Sequence, residues 1–396
     1  MTDFVLLSTA DWDHPLWTNK QHVALSLVKL GHRVLYIDSL GLRSPRLQAR
    51  GQRKVRARSD LDRAIRRLIR ALLPPRRVRP GLWVWSPPVL PGASSGVPLW
   101  INRQILGCAL PLWSGWLDLR DVCLWTYNPI TLAVVDSRRW KRIIYHCVDA
   151  IQEQPHMPAR AIKHWEKRLC SRADLVFVTS PDLQRQLCEH NPKTIFYPNV
   201  ADAKHFSQAL DQGLALPDDM AAIREPRVGF VGAINAYKLD FPLIRSLAQE
   251  NPQWSFVFVG PVGEGDPECD ANDLENLPNV HLIGPRTYNE LPAYLKGMAI
   301  GLLPLQHNPY TRAMFPMKFF EYLAAGLPVV ATEIDALKPY ASLALLCEPT
   351  SDAFSKAIRN VLRGEGPPLA QRLEGASRHT YQHRTEAMLR DLEALG

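Results

Sequence analysis

The sequence predicts an α/β protein with two domains, each built on a parallel β-sheet that is covered by helices. Short apolar runs, typical of buried strands, alternate with helical patterns through both halves of the chain. The 396 residues suffice for two or three domains of roughly 150 residues each. Hydrophobic residues make up 46% of the chain and charged residues 22%, which is the composition of a globular protein with a substantial core.

The first half opens with a strand, a helix and a second strand. Residues 4–8 are apolar, Val23, Leu27 and Leu30 recur at helical spacing, and residues 34–37 are apolar again. This βαβ opening predicts a parallel sheet with helices on both faces. Further strands are predicted at 82–86, 122–126, 143–148 and 175–179.

The second half repeats this alternation after a polar, irregular stretch at 207–225, which we interpret as a linker. The predicted domains are therefore 1–206 and 226–375, and residues 376–396 are predicted to form a C-terminal helix. The strands predicted in the second half lie at 227–231, 255–260, 280–283, 299–303 and 329–332. The predicted helices lie at 241–250, 288–296, 318–325 and 352–363.

Positive charge is concentrated in one segment of the first half. The formal net charge is +8, and 14 of the 47 lysines and arginines fall within residues 43–79. A basic amphipathic helix is predicted near residues 60–73, which favours an anchor on an anionic membrane surface, with the apolar run 100–116 able to cooperate. The alternative is an ordinary domain helix with a solvated basic face. Nucleic acid is not an expected partner, because the sequence has no nucleic-acid-binding motif.

The chain is expected in the cytoplasm, peripheral at the inner face of the cell membrane. Its seven cysteines form no CxxC pair and no zinc-binding spacing, which suits a reducing compartment. The N-terminus lacks the basic region and the long apolar core of a signal peptide. No uncharged stretch reaches the ~20 residues of a membrane span.

A phosphate-bearing ligand is predicted to bind in the second half. Gly232 follows a predicted strand, where the missing Cβ lets the backbone approach a ligand. Pro316 suits a first helical turn, whose free N–H groups favour an anion. Lys318 adds positive charge in that turn, and Glu321 lies one turn further on, where it can accept hydrogen bonds from ribose hydroxyls. Gly326 is predicted to cap this helix.

The run at 316–330, PMKFFEYLAAGLPVV, resembles the donor-binding segment of GT-B glycosyltransferases, such as those of teichuronic acid assembly. The segments 229–234, 260–261 and 300–304 resemble the same family. The resemblance implies a GT-B fold: two Rossmann-like domains facing across a cleft, with the C-terminal helix packing back on the first domain. It also implies that Glu321 binds the ribose of a nucleotide-sugar. The predicted donor-binding residues are Gly232, Lys238, Gly260, Pro316, Met317, Lys318 and Glu321.

One position departs from the family pattern. Many retaining relatives carry two glutamates eight positions apart, whereas Ala313 stands eight positions before Glu321, which weakens a retaining mechanism. An alternative for Glu321 is a solvated ion pair with Lys318 at i, i+3. No metal is expected, because lysine and helix amides can offset the diphosphate charge. The nucleotide-sugar is then a co-substrate, and no cofactor is predicted.

Asp149 is the predicted general base. It follows the predicted strand 143–148, and the carboxyl ends of strands in such sheets line the ligand crevice. The sequence also resembles an inverting glucuronosyltransferase of xanthan assembly, in which the acid at the end of this strand is the base. The alternatives are a helix N-cap or turn aspartate at this position, or His146 as the active group.

Two further segments carry open alternatives. In the loop at 11–18, Asp13 is a second candidate base, and Trp12 and Trp17 either stack on sugar rings or pack against the protein. Asn199 lies in a segment that resembles the interdomain P-N-x-x-D of the family, where it either contacts ligand or forms a turn.

The sequence therefore predicts a hexosyl-type glycosyltransferase. Its donor is a UDP- or GDP-sugar and its acceptor is a lipid-linked saccharide or a polysaccharide, in cell-envelope or exopolysaccharide biosynthesis. Two alternatives remain: a nucleotide-sugar epimerase or hydrolase of the same fold, and a non-catalytic membrane-surface binding protein.

Overall fold

The computed structural model describes residues 2–14, 17–41, 73–90, 96–264, 266 and 269–396. The predicted basic helix near residues 60–73 therefore lies outside the described residues, apart from Leu73. The chain divides into two compact units. The first unit comprises Met1–Val178, Gln184–Phe196 and Met388–Gly396, and the second comprises Thr179–Leu183 and Tyr197–Ala387.

The first unit contains an eight-stranded sheet in the order β3-β4-β2-β1-β5-β6-β7-β8. All neighbouring strands run parallel except β3 and β4, which are antiparallel. Its strands are β1 (Asp3–Leu7), β2 (Arg33–Ile37), β3 (Arg76–Arg79), β4 (Leu82–Trp85), β5 (Cys123–Thr126), β6 (Arg142–Cys147), β7 (Leu175–Val178) and β8 (Thr194–Phe196).

The second unit contains a fully parallel six-stranded sheet in the order β11-β10-β9-β12-β13-β14. Its strands are β9 (Arg227–Val231), β10 (Ser255–Val259), β11 (Val280–Gly284), β12 (Ile300–Leu303), β13 (Val329–Thr332) and β14 (Leu345–Cys347).

Helices connect the strands of both sheets. The α-helices are Asn19–Lys29, Gly96–Trp116, Thr131–Val134, Ala159–Arg172, Pro181–Cys188, Ala203–Phe206, Asp218–Ala221, Phe241–Glu250, Asn272–Glu275, Leu291–Lys296, Pro309–Arg312, Lys318–Ala324, Ser351–Leu362, Leu369–Arg378 and Tyr381–Glu393. Short 3-10 helices lie at Ser137–Arg139, Ile151–Glu153, Ser207–Leu210, Tyr288–Glu290 and Lys338–Leu343. None of the helices in the described ranges is long and apolar enough to cross a bilayer.

The structure contains every predicted strand, and each end differs by at most one residue. It adds β3, β8 and β14, which all lie at sheet edges. β8 and β14 are only three residues long, and β3 has no apolar run. The exposed arginines of β3 are the charged residues that protect such an edge from pairing. The α/β prediction is therefore confirmed, and the short edge strands are what it missed.

Residues 207–225 belong to the second unit in the structure and not to a separate linker. The Lys296 ammonium donates hydrogen bonds to the carbonyl oxygens of Asp211 and Leu214, both at 2.7 Å, and Met220 is fully buried. The chain passes between the units at Phe196 and Tyr197, ten residues before the predicted boundary at 206. Contacts with Lys296, more than 80 residues further along the chain, hold this polar segment in the second unit, and such contacts leave no periodic signal in the sequence.

The predicted C-terminal helix is two helices in the structure. Leu369–Arg378 and Tyr381–Glu393 are separated where the backbone N–H of Ala201 donates to the carbonyl of His379 at 3.1 Å. Residues Met388–Gly396 belong to the first unit, where the Arg142 guanidinium donates to the carbonyl of Gly396 at 2.5 Å.

One glycine on β12 makes room for a tyrosine that organises the second unit. A Cβ added to Gly301 would lie 2.4 Å from Cδ2 of Tyr322, whose side chain is fully buried. The Tyr322 hydroxyl accepts a hydrogen bond from the backbone N–H of Val231 at 2.8 Å. This bond joins helix Lys318–Ala324 to the end of β9.

We predict that Gly301→Ala lowers the free energy of unfolding by about 1–3 kcal/mol, because the new methyl group must displace the buried Tyr322 ring. Urea unfolding followed by circular dichroism measures the change. Gly107→Ala is the control, because nothing lies within 4 Å of a Cβ added there, in the middle of helix Gly96–Trp116. The control should raise stability slightly. Equal stability of Gly301→Ala and the native chain would contradict the prediction.

Candidate functional site

The loops that follow β9 and β10 approach each other closely. Gly232 and Gly260 have φ values of 148° and 150°, in the region that favours glycine. The N–H of Gly232 donates to the carbonyl of Val259 at 2.9 Å, and a Cβ added to Gly260 would lie 2.0 Å from the Gly232 carbonyl oxygen. Because both loops follow parallel neighbouring strands, they lie at the carboxyl edge of the second sheet, where ligands of such sheets bind.

Lys318 lies beside this glycine pair. A Cβ added to Gly232 would be 3.5 Å from the Cε atom of Lys318. Three predicted donor-site residues, Gly232, Gly260 and Lys318, are therefore brought together by elements that are distant in sequence. Pro316 and Met317 come just before helix Lys318–Ala324, with Met317 at its N-cap position.

Lys318 and Glu321 form an ion pair. The Lys318 Nζ atom lies 2.7 Å from the Glu321 Oε2 atom, as the alternative interpretation of these residues expects. The pair is not solvated, however, because only 5% of the Glu321 side chain and 22% of the Lys318 side chain are exposed. A largely buried ion pair recovers little of its desolvation cost, so stability alone is a weak reason for this arrangement.

An aromatic cluster holds the segment before the helix. The rings of Phe315 and Phe320 stack with centroids 5.6 Å apart, and the His379 ring stacks on Phe320 at 4.2 Å. The Asn199 amide donates to the carbonyl of Phe315 at 2.6 Å. Asn199 therefore positions the residue before Pro316.

Gly326 ends the helix as predicted. Its φ is 79°, and its N–H donates to the carbonyl of Leu323 at 3.0 Å. The N–H of Leu327 donates to the carbonyl of Tyr322 at 2.9 Å, which completes a Schellman motif.

Lys238 lies in the loop after β9 and contacts two tyrosine rings. Its Nζ atom lies 5.3 Å from the ring centroid of Tyr237 and 5.7 Å from that of Tyr310. These distances are typical of cation–π contacts. Ala313, at the position of the missing glutamate, is fully buried, and its carbonyl accepts a hydrogen bond from the Ser180 hydroxyl at 3.0 Å.

In the first unit, Asp149 follows β6 and is half-buried. Its carbonyl accepts hydrogen bonds from the N–H of Ile151 at 2.9 Å and from the Cys147 thiol at 3.7 Å. β6 belongs to the parallel set that includes β1, β2 and β5, so Asp149 lies at the same end of the sheet as residues 11–14, which follow β1. His146 is fully buried among the rings of Trp125, Tyr127 and Phe177, which leaves it no surface to offer a substrate.

The loop after β1 is fixed by its own contacts. The Trp12 ring packs against Trp17 and Tyr36, with centroids 5.4 and 5.2 Å apart, and only 7% of Trp12 is exposed. The Asp13 carboxylate accepts two hydrogen bonds from the Arg76 guanidinium, both at 2.7 Å. Packing is therefore the role that the structure gives Trp12, and Asp13 is held in an ion pair.

Sequence reasoning missed two buried acids near this edge. The Asp38 carboxylate accepts hydrogen bonds from the Trp12 N–H at 2.7 Å and from the Ser86 hydroxyl, and burial raises its pKa to about 6. Glu166 accepts a hydrogen bond from the Tyr145 hydroxyl at 2.5 Å, and burial raises its pKa as well. Glu166 shares the apolar face of its helix with Ile162, Leu169 and Cys170, and that spacing could have identified it.

We predict that Asp38→Asn flattens the pH dependence of stability between about pH 4 and 6. A carboxyl whose pKa is about 6 in the fold and 3.8 ordinarily holds its proton more tightly when folded. Its contribution is therefore complete below pH 4 and is lost as the pH rises through 6, by at most about 3 kcal/mol. Urea unfolding at several pH values measures this. The exposed Asp352→Asn is the control, and parallel profiles for native chain and Asp38→Asn would contradict the prediction.

The family match lies within the second unit. Residues 225–364 match the family described as glycosyl transferases group 1. The chain is 32% identical over 238 residues to a Bacillus subtilis (strain 168) protein whose name assigns it to teichuronic acid biosynthesis as the glycosyltransferase TuaH. This match covers 55% of the chain and 58% of that protein, so the chain spans little more than half of this relative.

Solved structures resemble the whole chain at low sequence identity. Sucrose-phosphate synthase from Thermosynechococcus elongatus has a TM-score of 0.70 and 16% identity, with both chains covered fully. Anabaena HepE in complex with UDP has a TM-score of 0.63 and 15% identity, also with full coverage. An E. coli trehalose-6-phosphate protein bound with UDP-2-fluoro glucose has a TM-score of 0.65 and 14% identity, with 99% of each chain covered. The fold of this chain is therefore GT-B, and its residues 225–364 match the family of glycosyl transferases group 1.

Proposed function

We propose that the chain is a hexosyl-type glycosyltransferase that moves a sugar from a nucleotide-sugar donor to a lipid-linked or polysaccharide acceptor. The observation that carries the proposal is the cluster of Gly232, Gly260 and Lys318 at the carboxyl edge of the glycosyl transferase group 1 domain. Two glycines without side chains and a lysine beside them provide what a diphosphate needs: close backbone approach and a positive charge.

The Lys318–Glu321 ion pair suits a donor site that is preorganised. In the proposed complex, the Lys318 ammonium turns to the diphosphate and the Glu321 carboxylate accepts hydrogen bonds from the ribose hydroxyls. Each charge then exchanges one partner for another, so neither is left unpaired when the donor binds. The backbone at Pro316 and Met317 is proposed to complete the diphosphate contacts, and Lys238 to contribute charge. No metal is needed in this scheme.

The relatives support a uridine nucleotide and a cell-envelope product. The HepE and E. coli structures are described with UDP or a UDP-sugar, which favours UDP over GDP for this chain. The TuaH relative is named for teichuronic acid biosynthesis, which supports a role in cell-envelope or exopolysaccharide assembly. A lipid-linked acceptor is consistent with a protein that acts at the inner face of the cell membrane.

We assign the general base to Asp149. Its carboxylate takes the proton of the acceptor hydroxyl while that oxygen attacks the anomeric carbon, the bond from that carbon to the diphosphate breaks, and Lys318 offsets the charge of the leaving nucleotide. The scheme inverts the anomeric configuration, in keeping with alanine at position 313.

We predict that Glu321→Gln weakens donor binding by about 10- to 100-fold, because it removes a charge-assisted hydrogen bond to the ribose. Titration calorimetry with UDP, GDP and their sugars measures the affinity and shows whether the donor nucleotide carries uracil or guanine. Glu348→Gln removes an exposed carboxylate of the same unit and should bind the donor normally. If no sugar nucleotide binds the native chain, the proposed function is wrong.

Asp149→Asn is expected to lower the rate of transfer by about 100- to 10,000-fold while donor affinity stays unchanged. Product formation with saturating donor and acceptor measures the rate, and Asp352→Asn serves as the control. Full activity in Asp149→Asn would remove the base assignment and make Asp13 the next candidate. Turnover of the donor without any acceptor would favour the epimerase or hydrolase alternative.

A further inference from the structure

The helix Gly96–Trp116 exposes an apolar surface. Only Asn102, Leu106 and Leu110 are buried on it, although Arg103 is its single charged residue over 21 positions. Of the nine large hydrophobic residues that are exposed in the described part of the chain, four lie on this helix. They are Val97 at 69% exposed and Trp100, Leu112 and Trp116 at 60% each. A concentration of this kind marks an interaction site.

A groove of about 680 Å³ runs beside this helix. Its floor is apolar and its rim is cationic. Among the residues that line it are Leu106, Leu110, Val135, Arg103, Arg139 and Lys141. The Arg139 guanidinium donates to the carbonyl of Gly107 at 3.0 Å, which ties the two walls together.

The charges around the groove favour an anionic partner. Arg103, Arg139 and Lys141 line it and are exposed, and the exposed Arg138 is next to Arg139 in the sequence. The acids at the same rim are Asp121 and Asp136, and the Asp136 carboxylate is engaged with the backbone N–H of Arg138 at 3.0 Å. The apolar face thus lies next to an excess of positive charge, which is the combination that binds acidic head groups and inserts side chains below them.

The groove lies at the end of the sheet opposite to Asp149, whereas the helix Gly96–Trp116 connects the carboxyl end of β4 to the amino end of β5. The groove is built from residues that precede β5 and β6, whereas Asp149 follows β6. The groove is therefore separate from the predicted catalytic edge by the length of a six-residue strand, about 20 Å. Changes to it should leave the chemistry intact.

We propose that the helix Gly96–Trp116 and its groove dock the chain on an anionic lipid bilayer, with Trp100, Leu112 and Trp116 inserted at the head-group level. Exposed tryptophans suit this position because the indole has an apolar body and a polar N–H. The inference deepens the proposed function, since it names the surface through which the enzyme would reach a lipid-linked acceptor.

Vesicle flotation with the full chain tests this proposal. The probes are phosphatidylcholine vesicles with and without 30% phosphatidylglycerol. We expect binding to the anionic vesicles alone, weakened by salt. The variant Trp100→Ser/Leu112→Ser/Trp116→Ser should lower partitioning by roughly 100-fold, and Arg139→Gln/Lys141→Gln by about fivefold for each cation removed. The control Leu210→Ser/Leu362→Ser/Leu369→Ser changes three other exposed leucines and should bind normally.

The outcomes of these experiments distinguish the docking surface from its alternatives. Unchanged vesicle binding by the triple docking variant, or no binding by the native chain, would overturn the proposal. A concentration-dependent dimer that the same variant abolishes, without vesicle binding, would show that the surface joins two copies of the chain. Because flotation needs no donor, a chain that binds vesicles but no sugar nucleotide keeps the docking surface and loses the proposed transferase. Unchanged transfer to a water-soluble acceptor would show that the variant is correctly folded.

Discussion

The second unit depends on a close approach of two backbones. The loops after β9 and β10 meet at Gly232 and Gly260, where a single added Cβ would lie 2.0 Å from a carbonyl oxygen. The hydrogen bond from Val231 to the Tyr322 hydroxyl then fixes helix Lys318–Ala324 to the same place. Because these contacts are buried, they hold the Lys318 side chain beside the glycines without any ligand. The chemistry proposed for the site follows from this constraint.

In the first unit, two buried carboxyl groups hold neighbouring segments in place. Asp38 holds the loop after β1 through the Trp12 N–H, and Glu166 lies under β6 with the Tyr145 hydroxyl. Burial raises the pKa of both acids, because the charged form loses its hydration. Glu166 holds side chains of β6, the strand that leads to Asp149, and Asp38 holds the loop after β1.

The carboxyl and amino ends of the strands in the first sheet carry different kinds of residues. Asp38 follows β2 and Asp149 follows β6, and because these strands are parallel, both acids lie at the carboxyl end of the sheet. The amino ends of β5 and β6 carry the cationic groove, beside the apolar helix Gly96–Trp116 that leads into β5. The strands of this sheet therefore separate the groove from the end at which Asp149 lies.

Sequence patterns by themselves determined the α/β class, the inner strands of both sheets and β11, the helix at 318–325 and its Gly326 cap, because each depends on residues that are close together in the chain. Residue types determined the candidates Gly232, Lys318 and Glu321, and the structure brings them together. Only the tertiary structure decided the edge strands, the place of residues 207–225, the burial of the Lys318–Glu321 pair and the roles of Asp38 and Tyr322. These depend on contacts between residues far apart in sequence, and burial, which sets their energies, exists only once the chain has folded.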